Sequence, residues 1–187
     1  MKNLNFKGLI KESIEDHLYS FDYVYTDNFY NKYSTALSTL YKTIKNKGCI
    51  FTCGNGGSFS DAQHFTAELI VRYSRERGPL SSITLGSNFS NITACANDYS
   101  YEEIFKREYE ALSSNNDTLI AISTSGKSKN ILNIIDYASN EGKDWILLTS
   151  DSANKLPENG TVFSFPSSKT SAIQECHIFT LQLICKG

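Results

Sequence analysis

The stretch FTCGNGGSFSDAQHFTAEL, residues 51–69, runs from a short apolar strand through three glycines into a helix. The small residues of CGNGGS allow backbone N–H groups to approach a ligand closely, and the dipole of the following helix favours an anion there. A glycine cluster after a strand is equally often a tight turn with no ligand, and this one matches neither a dinucleotide-binding fingerprint nor a Walker sequence. The stretch therefore predicts a strand–turn–helix unit and leaves anion binding open.

The same alternation of strand and helix continues along the rest of the chain. Apolar strands are predicted at 49–53, 81–85, 117–123, 145–150 and 161–166, and helices at 59–73, 89–95, 101–112, 128–141 and 170–186. Such alternation requires crossover connections, which make neighbouring strands parallel and place helices on both faces of the sheet. The sequence therefore predicts a three-layer, doubly wound α/β fold with a five-stranded parallel sheet. We expect one domain, residues 1–187, with a helical segment at 1–47 and the α/β core at 48–187.

Two helices are predicted before the first strand, at 9–21 and 28–47. In the second helix, Phe29, Tyr33, Leu37 and Tyr41 recur every four residues and form one apolar face. This face has no evident role inside a five-stranded sheet sandwich. We therefore expect the N-terminal helices to build a helical core between subunits.

The composition narrows the possible partners. The formal charge of −2 with scattered Lys and Arg, and a pI near 5.9, argue against a nucleic-acid-binding surface. No apolar run approaches the roughly 18 to 20 residues that span a membrane, and the first residues lack the apolar region of a signal peptide. The five cysteines show no CxxC spacing, which favours a reducing compartment over a disulfide framework. We expect a soluble, cytoplasmic protein that binds neither nucleic acid nor membrane.

A second loop, STSGKS at 123–128, also lies between a predicted strand and a predicted helix. Ser123, Thr124, Ser125 and Ser128 place four hydroxyl groups beside the free amides of a helix N-terminus. Ser128 alone is equally suited to a plain N-cap, but four hydroxyls are typical of an oxyanion cradle. Because the carboxyl ends of parallel strands meet at one sheet edge, the two loops together predict a site for a phosphorylated small molecule.

Five motifs joined in one chain give a more specific indication: CGNGGSFSDAQHFTAEL, RYSRERGPL, ANDYSYEEIF, ISTSGKSKNIL and IQECHI. They resemble the motifs of the phosphoheptose isomerases, SIS (sugar isomerase) domain enzymes that convert sedoheptulose 7-phosphate to D-glycero-D-manno-heptose 7-phosphate for surface heptose biosynthesis. The resemblance covers nearly the whole chain from residue 49. It implies a flavodoxin-like sheet, a homotetramer with active sites between subunits, and a zinc ion in many members.

The resemblance also assigns residues. It implies that the substrate is bound by Asn55, Gly56, Gly57, Ser58, Asp61, Arg72, Asn97, Asp98, Ser123, Thr124, Ser125, Ser128 and Gln174. The implied metal positions are His64, Glu68, Gln174 and Gln182, and the implied acid/base positions are Glu68 and Gln182. On a helix, His64 and Glu68 share one face, which Asp61 and Arg72 would continue, while Phe65, Leu69 and Tyr73 would form the buried stripe. For an isolated His/Glu pair, a solvated helix face would be the plainer interpretation.

One position departs from the family pattern. The family has IQExHIxxxH, whose last histidine completes the metal site and acts as a base, whereas this chain reads IQECHIFTLQ and ends the motif on Gln182. An amide cannot accept that proton and is a poorer zinc ligand than imidazole, so we expect weak or absent zinc binding. His177 matches a different histidine of the motif and is interpreted as a satisfied core residue.

Three outcomes remain open at this stage: a handicapped isomerase, an isomerase for a related sugar, and a non-catalytic scaffold. The scaffold would resemble the SIS-domain replication initiation factor that binds DnaA, which also lacks the terminal histidine. That factor, however, has also lost the acidic residue that corresponds to Glu68. Retention of Glu68 together with Asp61, His64, Arg72 and Gln174 favours catalysis or sugar-phosphate binding.

Overall fold

A computed structural model describes residues 5–153, 155–167 and 169–187. The helices are α1 (Phe6–Phe21), α2 (Asp27–Lys45), α3 (Gly57–Ile70), α4 (Phe89–Asp98), α5 (Ile104–Leu112), α6 (Lys129–Asn140) and α7 (Thr170–Lys186). The strands are β1 (Ile50–Gly54), β2 (Ser82–Thr84), β3 (Thr118–Ser123), β4 (Asp144–Ser150) and β5 (Thr161–Phe165), and short 3₁₀ turns occupy Asp22–Tyr25 and Tyr101–Glu103. No helix of the described ranges is long and apolar enough to cross a membrane.

The five strands form one sheet in the order β2-β1-β3-β4-β5, and every neighbouring pair is parallel. This is the flavodoxin-like order, and it confirms the predicted three-layer α/β fold. The strand order reverses between β1 and β3, because β2 lies on one side of β1 and β3 on the other. The loops after β1 and β3 therefore flank the crevice where ligands bind in sheets of this type.

The sheet is covered on both faces, as the nearly continuous apolar strands require. On one face, Ile120 and Ile122 of β3 belong to an apolar core with α2, α3 and α7. On the other face, Leu119 and Ala121 belong to a second core with α5 and α6. Successive residues of β3 thus point to opposite cores, so that its carboxyl end is held rigidly between two packed layers.

The apolar face of α2 has a role that the sequence analysis did not foresee. Phe29 is 1% exposed, and its ring centroid lies 5.4 Å from that of Phe163 in β5. Tyr33 and Leu37 also pack against this core, whereas Tyr41 is 67% exposed. The expectation that this face has no role inside the sandwich is therefore wrong. Helix α2 thus packs on β5, at one edge of the sheet.

Helix α3 ends at Ile70, three residues before the predicted end. The Arg77 guanidinium donates hydrogen bonds to the carbonyl oxygens of Leu69, at 2.8 Å, and Glu68, at 2.7 Å. These bonds satisfy carbonyls that a longer helix would use, and the chain turns away at Val71. Arg72 and Tyr73 therefore do not continue the two stripes of α3, and Tyr73 is exposed rather than buried.

Candidate active site

The first loop, residues 55–58, joins β1 to α3. Gly56 has φ 55°, a conformation that favours glycine, and the Ser58 N–H donates to the Asn55 carbonyl at 3.0 Å. Ser58 is 6% exposed. A Cβ at Gly57 would collide with the side-chain amide of Gln174. The glycines thus allow a tight turn and let α7 approach the N-terminus of α3, as the substrate-site prediction requires of Gln174.

The second loop, residues 123–128, joins β3 to α6 and is shaped by its own hydroxyl groups. The Ser123 Oγ accepts from the Gly126 N–H at 3.2 Å and donates to the Ser128 Oγ at 3.4 Å. The Ser125 Oγ accepts from the Lys127 N–H at 3.2 Å, and Ser125 is exposed. A hydroxyl that accepts a hydrogen bond still has its O–H to donate. The Ser125 hydroxyl therefore keeps a proton that it can donate.

A reciprocal amide pair connects the two loops. Asn55 Nδ2 donates to Asn130 Oδ1 at 2.9 Å, and Asn130 Nδ2 donates back to Asn55 Oδ1 at 2.9 Å. The Tyr101 hydroxyl also donates to Asn55 Oδ1, at 3.1 Å. Asn130, in the first turn of α6, and Tyr101 are absent from the sequence-based site. The residue pair is 75 positions apart, so no local pattern marked Asn130.

One face of α3 continues the site away from the first loop. Asp61, His64 and Glu68 share this face, and His64 Nε2 lies 2.9 Å from Glu68 Oε1. The His64 side chain is 48% exposed and that of Glu68 is 22% exposed. The predicted His/Glu pair is therefore formed, with the carboxylate partly shielded by its neighbours.

Helix α7 runs beside this face of α3 in the same direction. Gln174 lies against Gly57 near the start of both helices, and the Glu68 carboxylate is close enough to Cys185 to raise the pKa of that thiol further after burial has raised it. Gln182 lies about one turn before Cys185 on α7. Gln182 is half-buried there. His64 and Glu68 are thus paired on α3, and Gln182 lies on the neighbouring helix α7.

Asp61 occupies the part of this groove nearest the first loop. Burial raises the pKa of its carboxyl group, and a hydrogen bond from Gln174 and the positive charge of His64 oppose that rise. Its Oδ2 atom is buried without a hydrogen-bond partner among the described residues. A buried acceptor without a partner is costly, so this oxygen is an unsatisfied group beside the first loop.

Three predicted substrate residues lie away from the two loops. Arg72 follows the end of α3, with a 55% exposed side chain and a weak contact of 3.7 Å to Glu76. Asn97 and Asp98 form the last turn of α4, are exposed, and bond to each other at 2.8 Å. Their nearest link to the loops is the following 3₁₀ turn, which carries Tyr101.

The donor set does not fit a tightly bound zinc ion. Catalytic zinc sites use three protein ligands of the imidazole, thiolate or carboxylate type. His64 supplies an imidazole and Glu68 a carboxylate, but the remaining implied ligands, Gln174 and Gln182, are amides. In the part of the chain that the structure describes, no three His, Cys, Asp or Glu side chains come together as a metal site.

His177 lies in the core, as interpreted from the sequence, but among the described residues only one of its two ring nitrogens has a hydrogen-bond partner. It is 0% exposed, and its Nε2 lies 3.3 Å from the Thr149 carbonyl oxygen, so Nε2 carries the proton. Its Nδ1 is buried without a partner among the described residues. Burial lowers the pKa of His177 to about 4. His177 therefore cannot replace the missing base at Gln182, because it has no access to a ligand.

The SIS domain family model matches residues 27–150. A phosphoheptose isomerase from Helicobacter pylori is 48% identical over 147 residues, 78% of this chain and 77% of its own length. One from Campylobacter concisus is 40% identical over 183 residues, 97% of this chain and 95% of its own.

Solved structures of phosphoheptose isomerases are also similar to this chain. A phosphoheptose isomerase from Francisella tularensis superposes with a TM-score of 0.86 at 29% identity, covering 100% of this chain and 97% of that chain. The enzyme from Neisseria gonorrhoeae gives a TM-score of 0.83 at 29% identity, with 96% and 94% covered. The sequence identities and the TM-scores point to the same family. The chain belongs to the SIS domain family and, within it, to the phosphoheptose isomerase family.

Proposed function

We propose that this protein is an aldose–ketose isomerase that converts sedoheptulose 7-phosphate to D-glycero-D-manno-heptose 7-phosphate for surface heptose biosynthesis. One observation carries the proposal: two hydroxyl-bearing loops meet at the carboxyl edge of the sheet, and the helix that starts in the first loop carries Glu68. The relatives named phosphoheptose isomerase support the same reaction.

The substrate phosphate is bound between the two loops in this proposal. The N-termini of α3 and α6 both point there, and their free amides and dipoles favour an anion. Ser58, Ser123, Ser125 and Ser128 supply the hydroxyl donors. These groups bind a phosphate without adding a base that competes for protons.

The length of α3 suits a seven-carbon sugar. On a helix, His64 lies about 9 Å along the axis from Ser58 and Glu68 about 15 Å, and helical side chains lean back toward the N-terminus. An extended chain of seven carbons, with bonds of about 1.5 Å, spans roughly 8 Å from first to last carbon. A phosphate at the loops therefore leaves the first two carbons of the sugar near His64 and Glu68.

Glu68 is the proposed base. It removes a proton from the first carbon of the ketose, and the electron pair of that C–H bond forms the carbon–carbon double bond of an enediol. Glu68, whose carboxyl proton exchanges with solvent at the enediol stage, then returns a proton to the second carbon, while the hydroxyl proton of the first carbon moves in net to the oxygen of the second. Oxidation at the first carbon balances reduction at the second, so no co-reactant is consumed. His64, 2.9 Å from Glu68, orients the carboxylate.

Gln182 lowers the rate of the proposed reaction. Its amide can donate a hydrogen bond to a substrate oxygen, but it cannot relay a proton. Loss of one positioned acid/base group costs about 10²-fold to 10⁴-fold in rate. We therefore propose a slow isomerase with weak or no zinc binding, in which Glu68 supplies the proton transfer.

The non-catalytic scaffold is the less favoured alternative. A scaffold needs neither a shielded carboxylate nor loops that donate to an anion, and this chain has both. The relatives also carry the name of an enzyme.

The quaternary structure and location follow as further proposals. Helix α1 exposes a row of apolar side chains, Phe6, Leu9, Ile10, Ile14 and Leu18, each more than half exposed. Such a row supports association of subunits, and we propose a homotetramer with active sites between subunits. The five free cysteines support a reducing compartment, the cytoplasm.

Incubation of the purified, metal-replete protein with sedoheptulose 7-phosphate, followed by NMR, tests the function. We expect the heptose 7-phosphate aldose to appear, and the Glu68→Gln variant to form none. No aldose from the unmodified protein, in the presence or absence of zinc, would contradict the proposal.

A further inference from the structure

Asn55 lies where three segments of the proposed site meet. Its amide exchanges two hydrogen bonds of 2.9 Å with Asn130 at the start of α6, and its Oδ1 accepts a third, of 3.1 Å, from the Tyr101 hydroxyl. Asn55 belongs to the first loop, Asn130 follows the second, and Tyr101 follows the segment with Asn97 and Asp98. One side-chain amide therefore connects the two proposed phosphate-binding loops with the 3₁₀ turn that carries Tyr101.

Asn130 is suited to a structural role in this connection and poorly placed for contact with substrate. It is 3% exposed, and its Oδ1 and one of its N–H groups are taken up by Asn55. Buried polar groups are costly to leave unpaired, so each amide of the pair holds the other in one orientation. Without the Asn130 amide, the Asn55 side chain is no longer held in one orientation, and the distance between the two loops is no longer fixed.

The segment of Tyr101 is itself fixed to α6. Lys129 Nζ contacts Glu102 Oε1 at 2.8 Å, and Asn133 Nδ2 donates to the Glu102 carbonyl at 3.1 Å. The turn that carries Tyr101 is thus bonded to α6, the helix that follows the second loop. The Tyr101 side chain itself is 56% exposed.

We infer that Asn130 is a positioning residue, which, with Tyr101, locks Asn55 and sets the distance between the two phosphate-binding loops. This inference rests on the proposed function and adds to it the group that preorganises phosphate binding. Glu68 lies about 15 Å along α3 from Ser58, so the proton transfer is remote from the amide pair. Loss of Asn130 weakens phosphate binding and leaves the proton-transfer step largely intact.

The test compares Asn130→Leu with Ser139→Ala in two assays: calorimetric titration with inorganic phosphate, and steady-state isomerisation of sedoheptulose 7-phosphate. Leu has nearly the shape of Asn and no hydrogen-bonding group. We expect Asn130→Leu to raise the phosphate Kd and KM by roughly 10-fold or more and to change kcat by less than about 3-fold. Ser139→Ala removes a 2.6 Å bond to Asn159 at the far end of α6 and should leave all three constants unchanged.

Tyr101→Phe guards against misfolding, because it removes one hydroxyl from an exposed side chain. We expect it to raise the phosphate Kd about 2-fold to 5-fold, and to have a smaller effect in the Asn130→Leu background, where Asn55 is already released. Unchanged phosphate affinity in Asn130→Leu or in Tyr101→Phe overturns the inference and leaves the isomerase standing. Absence of phosphate binding by the unmodified protein overturns it too. Absence of turnover, with phosphate binding that still depends on Asn130, overturns the proposed reaction alone.

Discussion

The buried imidazole of His177 predicts a loss of stability in mild acid. The ordinary histidine pKa of 6.5 falls to about 4 in the folded protein, because burial disfavours the charged ring. Between these values the unfolded chain binds more protons than the folded one, so the free energy of unfolding falls as the pH falls. The two pKa values give a loss of about 2 kcal/mol from this one group between pH 7 and pH 5. The contribution is fully present above pH 6.5 and is lost as the pH approaches 4.

Chemical denaturation at pH 7 and pH 5, for the unmodified protein and for His177→Gln, measures this loss. Glutamine keeps an N–H that can donate to the Thr149 carbonyl, but it does not titrate. The other two histidines, His17 and His64, are present in both proteins, so their effects cancel in the comparison. We expect the unmodified protein to lose about 2 kcal/mol more than the variant over this range. Equal losses would refute the assignment of His177 as a buried, neutral base.

Three further predictions concern the proposed site. Glu68→Gln should abolish detectable turnover, because an amide cannot accept the proton, and leave the phosphate Kd unchanged; a variant with turnover near that of the unmodified protein would exclude Glu68 as the base. Gln182→His should raise zinc affinity and turnover together, because imidazole is both a better ligand and a proton acceptor; stoichiometric zinc and undiminished turnover in the unmodified protein would contradict this. Ser125→Ala should weaken phosphate binding without lowering the melting temperature, since the side chain is exposed, and an equal thermal shift by phosphate in both proteins would count against Ser125 as a ligand.

The fold followed from the sequence because its signals are local. Strand bounds agree within one residue, and α7 spans Thr170–Lys186 as predicted. The alternation of strand and helix allows few topologies, and right-handed crossovers reduce them further. Helix α3 was predicted too long because Arg77, seven residues beyond its last residue, caps it through a contact that no periodicity reveals.

The apolar face of α2 shows a second kind of limit. The four-residue spacing of Phe29, Tyr33, Leu37 and Tyr41 indicated an apolar face, of which Phe29 is buried, Tyr33 and Leu37 are partly buried and Tyr41 is exposed. Spacing does not identify the surface that a face covers. Phe29 packs on β5 of its own chain, and the most exposed apolar row lies on α1 instead. The pattern of one helix contains no information on its packing partner.

Some residues of the proposed site were named from the sequence, and others are evident only from the structure. Ser125 was proposed from its hydroxyl-rich loop, which has a physical reason to bind an anion, and Ser58 from the family resemblance. Asn130 and Tyr101 were missed, because their function lies in side-chain contacts across the sheet edge with Asn55. Such contacts depend on the fold as a whole.

Deuterium transfer is the most direct test of the central claim that Glu68 moves a proton between adjacent carbons of a heptose phosphate. Sedoheptulose 7-phosphate is incubated with the purified protein in D₂O, and the aldose is examined by proton NMR. A base that exchanges with solvent during the enediol step predicts aldose with deuterium at the second carbon, and none of this product with Glu68→Gln. Labelled aldose formed equally well by Glu68→Gln, or no aldose from the unmodified protein, would contradict the account.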